Sequence, residues 1–315
     1  MATTALSTTE LVRQALRGKR VTIGGFAFEA GLLLMLLVSL LFLATLLVEV
    51  IGSGWGVITG RGWDFVTSPL SLSEESAGVW QSITGSFALA AFVAVVAFPI
   101  GIGAAVYLEE YAPNNRLTRF FTTNIRNLAG VPSIVYGLLG LVVFVRAVDA
   151  VGLGGGVRGR NLIAGGLTLA VLVLPIIIIT TSEALRAVPA SIREAGFGVG
   201  ATRWEVVRHH VIPSAAPGIL TGTVLTLARA FGETAPLLLV GAATGFFSAG
   251  DAGYLEKMTG PYTALPVTIF SWTRQASAEF QDLTAAAIIV LLVVLLTANS
   301  GAIILRDRYE RRWKR

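Results

Sequence analysis

The chain has 315 residues, 54% of them hydrophobic and only 14% charged, and it contains no cysteine. Soluble proteins carry about 25% charged residues, so the composition excludes a water-soluble globular domain; the missing thiols also exclude disulfides, thiolate catalysis and Cys-ligated zinc. The net charge of +5 would suit a nucleic-acid binder, but Lys and Arg lie mostly in connectors between apolar runs, where membrane topology accounts for them.

A spanning helix needs about 20 mostly apolar residues. Six segments reach or approach that length: 28–51, 79–108, 125–148, 161–181, 216–243 and 282–305. The expected fold class is an all-α integral membrane protein with six transmembrane helices. The first run begins too far in, after residues 1–27, and continues too long for a cleaved signal peptide, so it reads as a retained anchor. Trp55, Trp63 and Phe65 in the connector 52–78 suit anchoring at a membrane interface, as do Phe246, Phe247, Tyr254, Tyr262 and Trp272 in 244–281.

The second span ends at Glu109 and Glu110, which read as solvated charges. The third opens on Asn127-Leu-Ala-Gly130-Val-Pro132-Ser133-Ile-Val-Tyr136-Gly137, whose small and polar residues allow close helix contact or line a pore. The glycine-rich stretch 152–159 lies between apolar helices rather than between a strand and a helix, so it reads as a flexible turn. Pro175 is expected to bend the fourth span.

Residues 182–215 form a polar, basic island. Ser191 followed by Glu194, and Thr202 followed by Glu205, each fit a capping box, in which hydroxyl and carboxylate satisfy orphan N–H groups at a helix start. Glycines 196, 198 and 200 supply backbone freedom between the two starts, and Pro213 is expected to stop the second helix. The pattern predicts two short helices joined by a bend: either a docking element or a solvated connector.

Arg229 lies in the fifth apolar run, where an arginine costs about 2.5–3.5 kcal/mol on insertion scales. It must face protein, water or a counter-charge. Glu233, four residues on, can pair with it from the same helix face. Pro236 then frees a backbone carbonyl, which is tolerable in lipid only beside protein or a cavity. A permanently charged, forked guanidinium suits an oxyanion. The alternative is an ion pair that only locks helix packing. After the sixth span, the basic run 306–315 suits anchoring to anionic lipid.

Orientation follows from the cation distribution. With the N-terminus inside, Arg13, Arg17, Lys19, Arg20, Arg116, Arg119, Arg126, Arg186, Arg193, Arg203, Arg208, Arg306, Arg308, Arg311, Arg312, Lys314 and Arg315 are cytoplasmic. Only Arg61, Arg146, Arg158, Arg160, Lys257 and Arg274 are external. The excess places both termini and the island 182–215 in the cytoplasm. No enzyme emerges: the two histidines, 209 and 210, are adjacent and form no HExxH site, and no P-loop occurs. No cofactor is expected.

The island and the fifth span together resemble the permease subunits of ABC importers with the type I fold. Their cytoplasmic signature is Glu-Ala-Ala, three residues, Gly, nine residues, Ile-x-Leu-Pro; here Glu194, Ala195, Gly196, Gly200, Ile212 and Pro213 fall in register. Gly196 replaces the second Ala, His210 stands at the Ile position and Ile212 replaces Leu, and His210 is expected to weaken packing of the second short helix. The segments Asn127–Gly137, Arg229-Ala-Phe-Gly-Glu-Thr-Ala-Pro-Leu-Leu238 and Leu265-Pro-Val-Thr-Ile-Phe270 resemble the PstA family of phosphate importer permeases. The resemblance implies a permease domain over 79–305, with a cytoplasmic segment 1–27 and a first helix 28–51 before it and a tail 306–315 after it. It implies a PstC-like permease as heterodimer partner, two copies of a PstB-like ATPase and a PstS-like external phosphate-binding protein. It also implies that ATP is hydrolysed on the partner, that Arg193, Glu194, Ala195, Gly196, Gly200 and Pro213 couple to the ATPase, and that Arg229, Glu233 and Thr234 line the substrate path. A sulfate or molybdate permease, and a secondary anion transporter or channel, are the competing expectations. Two short helices also suggest a DNA-binding helix-turn-helix, which tethering against the bilayer argues against.

Overall fold

The structure, a computed structural model, describes residues 23–242 and 258–313, and among them there is no strand. Six helices among the described residues are long and apolar enough to cross a membrane: Gly24–Thr67, Trp80–Tyr111, Ser133–Leu153, Leu162–Arg186, Arg203–Gly232 and Ala278–Arg308. All six expected spans are therefore present, several with longer bounds.

The chain divides into two compact units, the first ending at Val50 and the second covering Ile51–Arg315. Helix α1, Ile23–Thr67, enters both. In the first unit its apolar side chains are exposed around the helix, Met35 and Phe42 by more than two thirds, as suits a helix surrounded by lipid. In the second unit α1 does not stop at 51 as expected but runs on to a non-helical Gly62 and then to Thr67. The reason is packing. Val57, Ile58 and Phe65 join a core cluster with Trp272 and Phe280, and the Phe65 and Trp272 rings lie 6.4 Å apart. Phe65, Tyr262 and Trp272 are thus buried core residues rather than interfacial anchors, whereas Trp55 and Trp63 are exposed. Phe246, Phe247 and Tyr254 lie outside the described residues.

Helix α2 is Trp80–Val106, extended by a wider π-helical turn, Tyr107–Tyr111. A short polar helix, α3 (Arg116–Ala129), is capped by the Asn115 side chain, which accepts from Thr118 N–H at 2.9 Å. The third span begins only afterwards, at Ser133 rather than 125: α4 (Ser133–Leu139) runs on through π-helical turns to Leu153. Asn161 caps α5, Leu162–Arg186, which holds Pro175 buried within it.

Helix α5 is apolar on all sides, the pattern of a helix enclosed by others. Its residues Leu169, Leu172, Val173 and Ile177 form the main core with Leu89, Val93 and Ala97 of α2. The α2–α5 pairing is the most extensive in the structure. Lipid provides no hydrophobic drive for helices to associate, so close backbone approach and dispersion must hold such a pair. Gly101 supplies the approach: a Cβ there would stand 2.6 Å from the Ile177 Cγ2 methyl. At the other end of α2, Ser82 and Thr268 share a buried hydrogen bond of 2.7 Å, and Leu265 N–H donates to Ser86 Oγ at 2.8 Å. These bonds hold a short buried helix, α10 (Leu265–Thr273), against α2. The segment between α5 and α10 carries the candidate sites, and the last described helix is α11, Ala278–Trp313, continuous through much of the expected basic tail.

Substituting Gly101→Val should destabilise the chain by about 1–3 kcal/mol through overpacking against Ile177. Thermal unfolding in detergent reads the loss, and an unchanged midpoint would refute the close contact.

Candidate functional site

The island 182–215 folds as two short helices, α6 (Ala190–Gly198) and α7 (Arg203–Val206). At Thr202 the capping box forms as expected: its hydroxyl accepts from Glu205 N–H, and the Glu205 carboxylate accepts from Thr202 N–H at 2.8 Å. At Ser191 it does not form. Pro189 takes the cap position and α6 starts at Ala190, which puts Ser191 already inside the helix. Gly200 makes the bend, with φ of +81°. Gly196 is buried, and a Cβ there would stand 2.7 Å from a Val206 methyl, so glycine at this family-alanine position lets the two helices close.

Pro213 also departs from expectation. It stops nothing, because it occupies the first turn of α8, Ile212–Gly232. A π-helical turn, Val207–Val211, closed by Ile212 N–H to the Val207 carbonyl, precedes it and joins α7 to α8. A proline in the first turn needs no backbone donor there. His210 points outward from this turn, so it does not disturb the packing. Glu194, Ala195, Phe197, Val199 and Trp204 are exposed on the two short helices and their bend, an apolar surface with a carboxylate within it.

Glu109 and Glu110 are not merely solvated. Arg186, at the end of α5, grips Glu109 with two parallel 2.8 Å bonds from Nε and Nη2. Arg193 of α6 grips Glu110, which is only 8% exposed, with Nη2 at 2.6 Å. The same guanidinium donates to the carbonyls of Leu185 (3.0 Å) and Val188 (2.9 Å). Residues 77 and 83 positions apart make these pairs. The trace in the sequence is a pair of carboxylates ending one span, one arginine ending another and a second arginine seven residues on.

The second cluster surrounds Arg229. The pair with Glu233 exists, Nε to Oε1 at 3.3 Å, with Arg229 about half exposed and Glu233 mostly buried. Its setting differs from the mid-helix one expected. Helix α8 ends at Gly232, Glu233 is extended (ψ 124°), and a new short helix, α9, covers Ala235–Leu239. Arg229 therefore occupies the last turn of α8, where the negative end of the helix dipole favours a cation. Pro236 sits in the first turn of α9, so it starts a helix rather than kinking one. Thr234 precedes α9, but its hydroxyl makes no capping bond. Gly137 of α4 lets Pro236 approach, since a Cβ there would stand 2.7 Å from the Pro236 Cα. Tyr136, its neighbour, lies within electrostatic range of Arg229 and donates to the Leu128 carbonyl at 2.8 Å. The third span and the helix break thus meet beside the half-exposed guanidinium. Arg193 and Arg229 belong to separate clusters.

Residues 97–315 match the family described as binding-protein-dependent transport system inner membrane component. The chain is 35% identical over 277 residues to the phosphate transport system permease protein PstA 1 of Mycobacterium tuberculosis (strain CDC 1551 / Oshkosh), covering 87% of this chain and 86% of that protein. It is 35% identical over 225 residues to PstA of Yersinia pestis, covering 70% of each. To the probable ABC transporter permease protein YqgI of Bacillus subtilis (strain 168) it is 35% identical over 187 residues, 59% of this chain and 61% of that one. Among solved structures it resembles a chain of the bacterial alginate ABC transporter in complex with alginate pentasaccharide-bound periplasmic protein, with a TM-score of 0.63, 17% identity, and coverage of 90% of this chain and 94% of that one. A chain of the MetNI methionine ABC transporter in an inward-facing conformation gives a TM-score of 0.52 at 20% identity, over 74% and 94%. At such identities the likeness establishes the fold alone, that of type I ABC importer permeases.

Thr202→Ala removes one half of the capping box, which should cost about 1 kcal/mol of local stability. Hydrogen exchange of the Glu205 and Val206 amides, which bond the Thr202 hydroxyl and carbonyl, should then quicken about fivefold. Unaltered exchange would contradict the cap.

Proposed function

The chain belongs to the binding-protein-dependent transport system inner membrane component family, the multi-pass permeases of ABC importers, and we propose that it is the permease subunit of an ATP-driven importer of inorganic phosphate. The observation that carries the substrate is the 35% identity with PstA 1 over 87% of this chain. The chemistry of Arg229 agrees with it. A guanidinium stays charged at any physiological pH and recognises phosphate through forked hydrogen bonds.

Arg229 in this reading is a transient anchor on the path. It is half exposed, and Glu233 engages it only through Nε at 3.3 Å. A phosphate oxygen can then meet the remaining donors, while the nearby carboxylate opposes the anion and keeps the hold weak enough to release. The Thr234 hydroxyl, uncommitted to capping, adds a neutral hydrogen-bonding group at the same break. The break matters because irregular backbone at membrane depth is tolerable only where protein or a water-filled path satisfies it.

The drive comes from outside this chain. With both termini cytoplasmic, α6 and α7 face the cytoplasm, and Glu194, Ala195, Phe197 and Trp204 present the surface to a PstB-like ATPase. Arg193, Gly196, Gly200 and Pro213 shape that surface. Arg193 orients α6, Gly196 and Gly200 close the helix pair, and Pro213 starts the span that leads to Arg229. A PstC-like permease completes the path, two PstB-like ATPases hydrolyse ATP, and a PstS-like external protein delivers phosphate to the opposite face.

Replacing Arg229→Gln should reduce phosphate uptake by reconstituted vesicles at least about tenfold, the cost of losing a charged hydrogen-bond donor, while the complex still assembles. Uptake at the native rate would remove Arg229 from the path, and equal competition by sulfate would overturn the choice of phosphate. Glu194→Lys should release the ATPase from the purified complex, and undiminished co-purification would show that docking occurs elsewhere.

A further inference from the structure

The π-helical turn that closes α2 carries three side chains, each taken by a different part of the chain. Glu109 is gripped by Arg186 from the end of α5, and Glu110 by Arg193 from α6. The ring of Tyr111 lies under the Arg203 guanidinium of α7, 5.6 Å from Cζ to centroid. Both short helices of the cytoplasmic island therefore hold the same turn, and Ala105 of α2 packs in one core cluster with Val206 and Ile192 beside it.

Arg193 is the tightest of these links. Its guanidinium is engaged at once by the Glu110 carboxylate and by the Leu185 and Val188 carbonyls at the end of α5. A planar fork held at three points leaves α6 little freedom to move alone. From the turn, α2 runs 27 residues as one helix, about 40 Å at 1.5 Å per residue. At its far end Ser82 and Ser86 hold α10 through two buried hydrogen bonds.

We propose that Glu110 is a positioning residue for transport: through Arg193 it ties α6 to α2, so that a displacement of α6 is carried along α2 to α10 on the opposite face of the membrane. The ion pair works as a clamp at the driven end, and the Ser82–Thr268 and Ser86–Leu265 bonds work as a clamp at the delivering end. The inference rests on the reading of α6 as the element that receives the ATPase. It adds the route by which the outer face of the permease follows.

The test uses the complete complex in proteoliposomes with ATP on the ATPase side and isotopically labelled phosphate, with its binding protein, on the opposite side, and measures labelled phosphate moved per ATP hydrolysed. Glu110→Gln keeps the side-chain volume but removes the charge; the complex should assemble and hydrolyse ATP, while transport per ATP falls about fivefold, within the range that residues along a coupling route produce. The chain has no cysteine, so E110C/R193C introduces a unique thiol pair. Bridging it with a short bifunctional thiol reagent should restore most of the lost ratio, which replacing a merely structural contact elsewhere would not. An unchanged ratio in E110Q overturns the proposal, as does a parallel loss of hydrolysis and transport, which would make the pair a docking or folding contact only. If E110Q fails to assemble, Arg193→Lys is measured by the same ratio, since it keeps the charge and loses the three-point hold. A native complex that neither binds the ATPase nor moves phosphate overturns the underlying reading instead, and wild-type activity measured alongside distinguishes the two failures.

Discussion

Removing an arginine from water costs several kcal/mol unless its donors find partners, and Arg193, about three-quarters buried, finds them in two places at once. It reaches a carboxylate at the end of α2 and two carbonyls at the end of α5 together. The placement of α6 follows from that, and so does the orientation of the exposed surface that α6 and α7 share. Arg186 repeats the arrangement one carboxylate earlier. Two neighbouring glutamates thus join three helices at one end of the second unit.

Elsewhere in that unit the balance of forces is different. Lipid is as apolar as the side chains that would leave it, so helix association depends on fit and on buried polar pairs rather than on escape from water. Helix α5 shows the first, with Gly101 of α2 closing onto Ile177. Helix α10 shows the second, with Ser82 and Ser86 satisfying Thr268 and the Leu265 N–H. A short helix can lie buried there because its otherwise orphaned first donor is satisfied. The break after α8 obeys the same rule: Arg229 lies where the helix ends, close to Glu233, rather than in the middle of an unbroken span.

Much of this was legible in the residues because it depends on local properties. Apolar runs of sufficient length became six helices, and Thr202 with Glu205 became a capping box because both partners lie within one turn. Gly200 became the bend because its positive φ suits glycine. The misread positions were those with two local solutions. Ser191 could cap a helix, but Pro189 started it earlier; Pro213 could end a helix, but the π-helical turn before it allowed Pro213 to begin one. Phe65 and Trp272 read as interfacial aromatics, since nothing in either segment announces that they will meet.

The sequence by itself determined the membrane class, the number of spans, the basic island with its two short helices, and the isolated Arg229 with its counter-charge. Length, composition and spacing within a few residues carry all of these. Only the tertiary structure decided what Glu109 and Glu110 do, where Arg229 stands relative to the end of its helix, and which helix ends are bound together. Those outcomes depend on groups brought together from distant parts of the chain, or on where packing breaks a helix. No local pattern encodes them: an ion pair between residues 83 positions apart exists only after the intervening helices have packed.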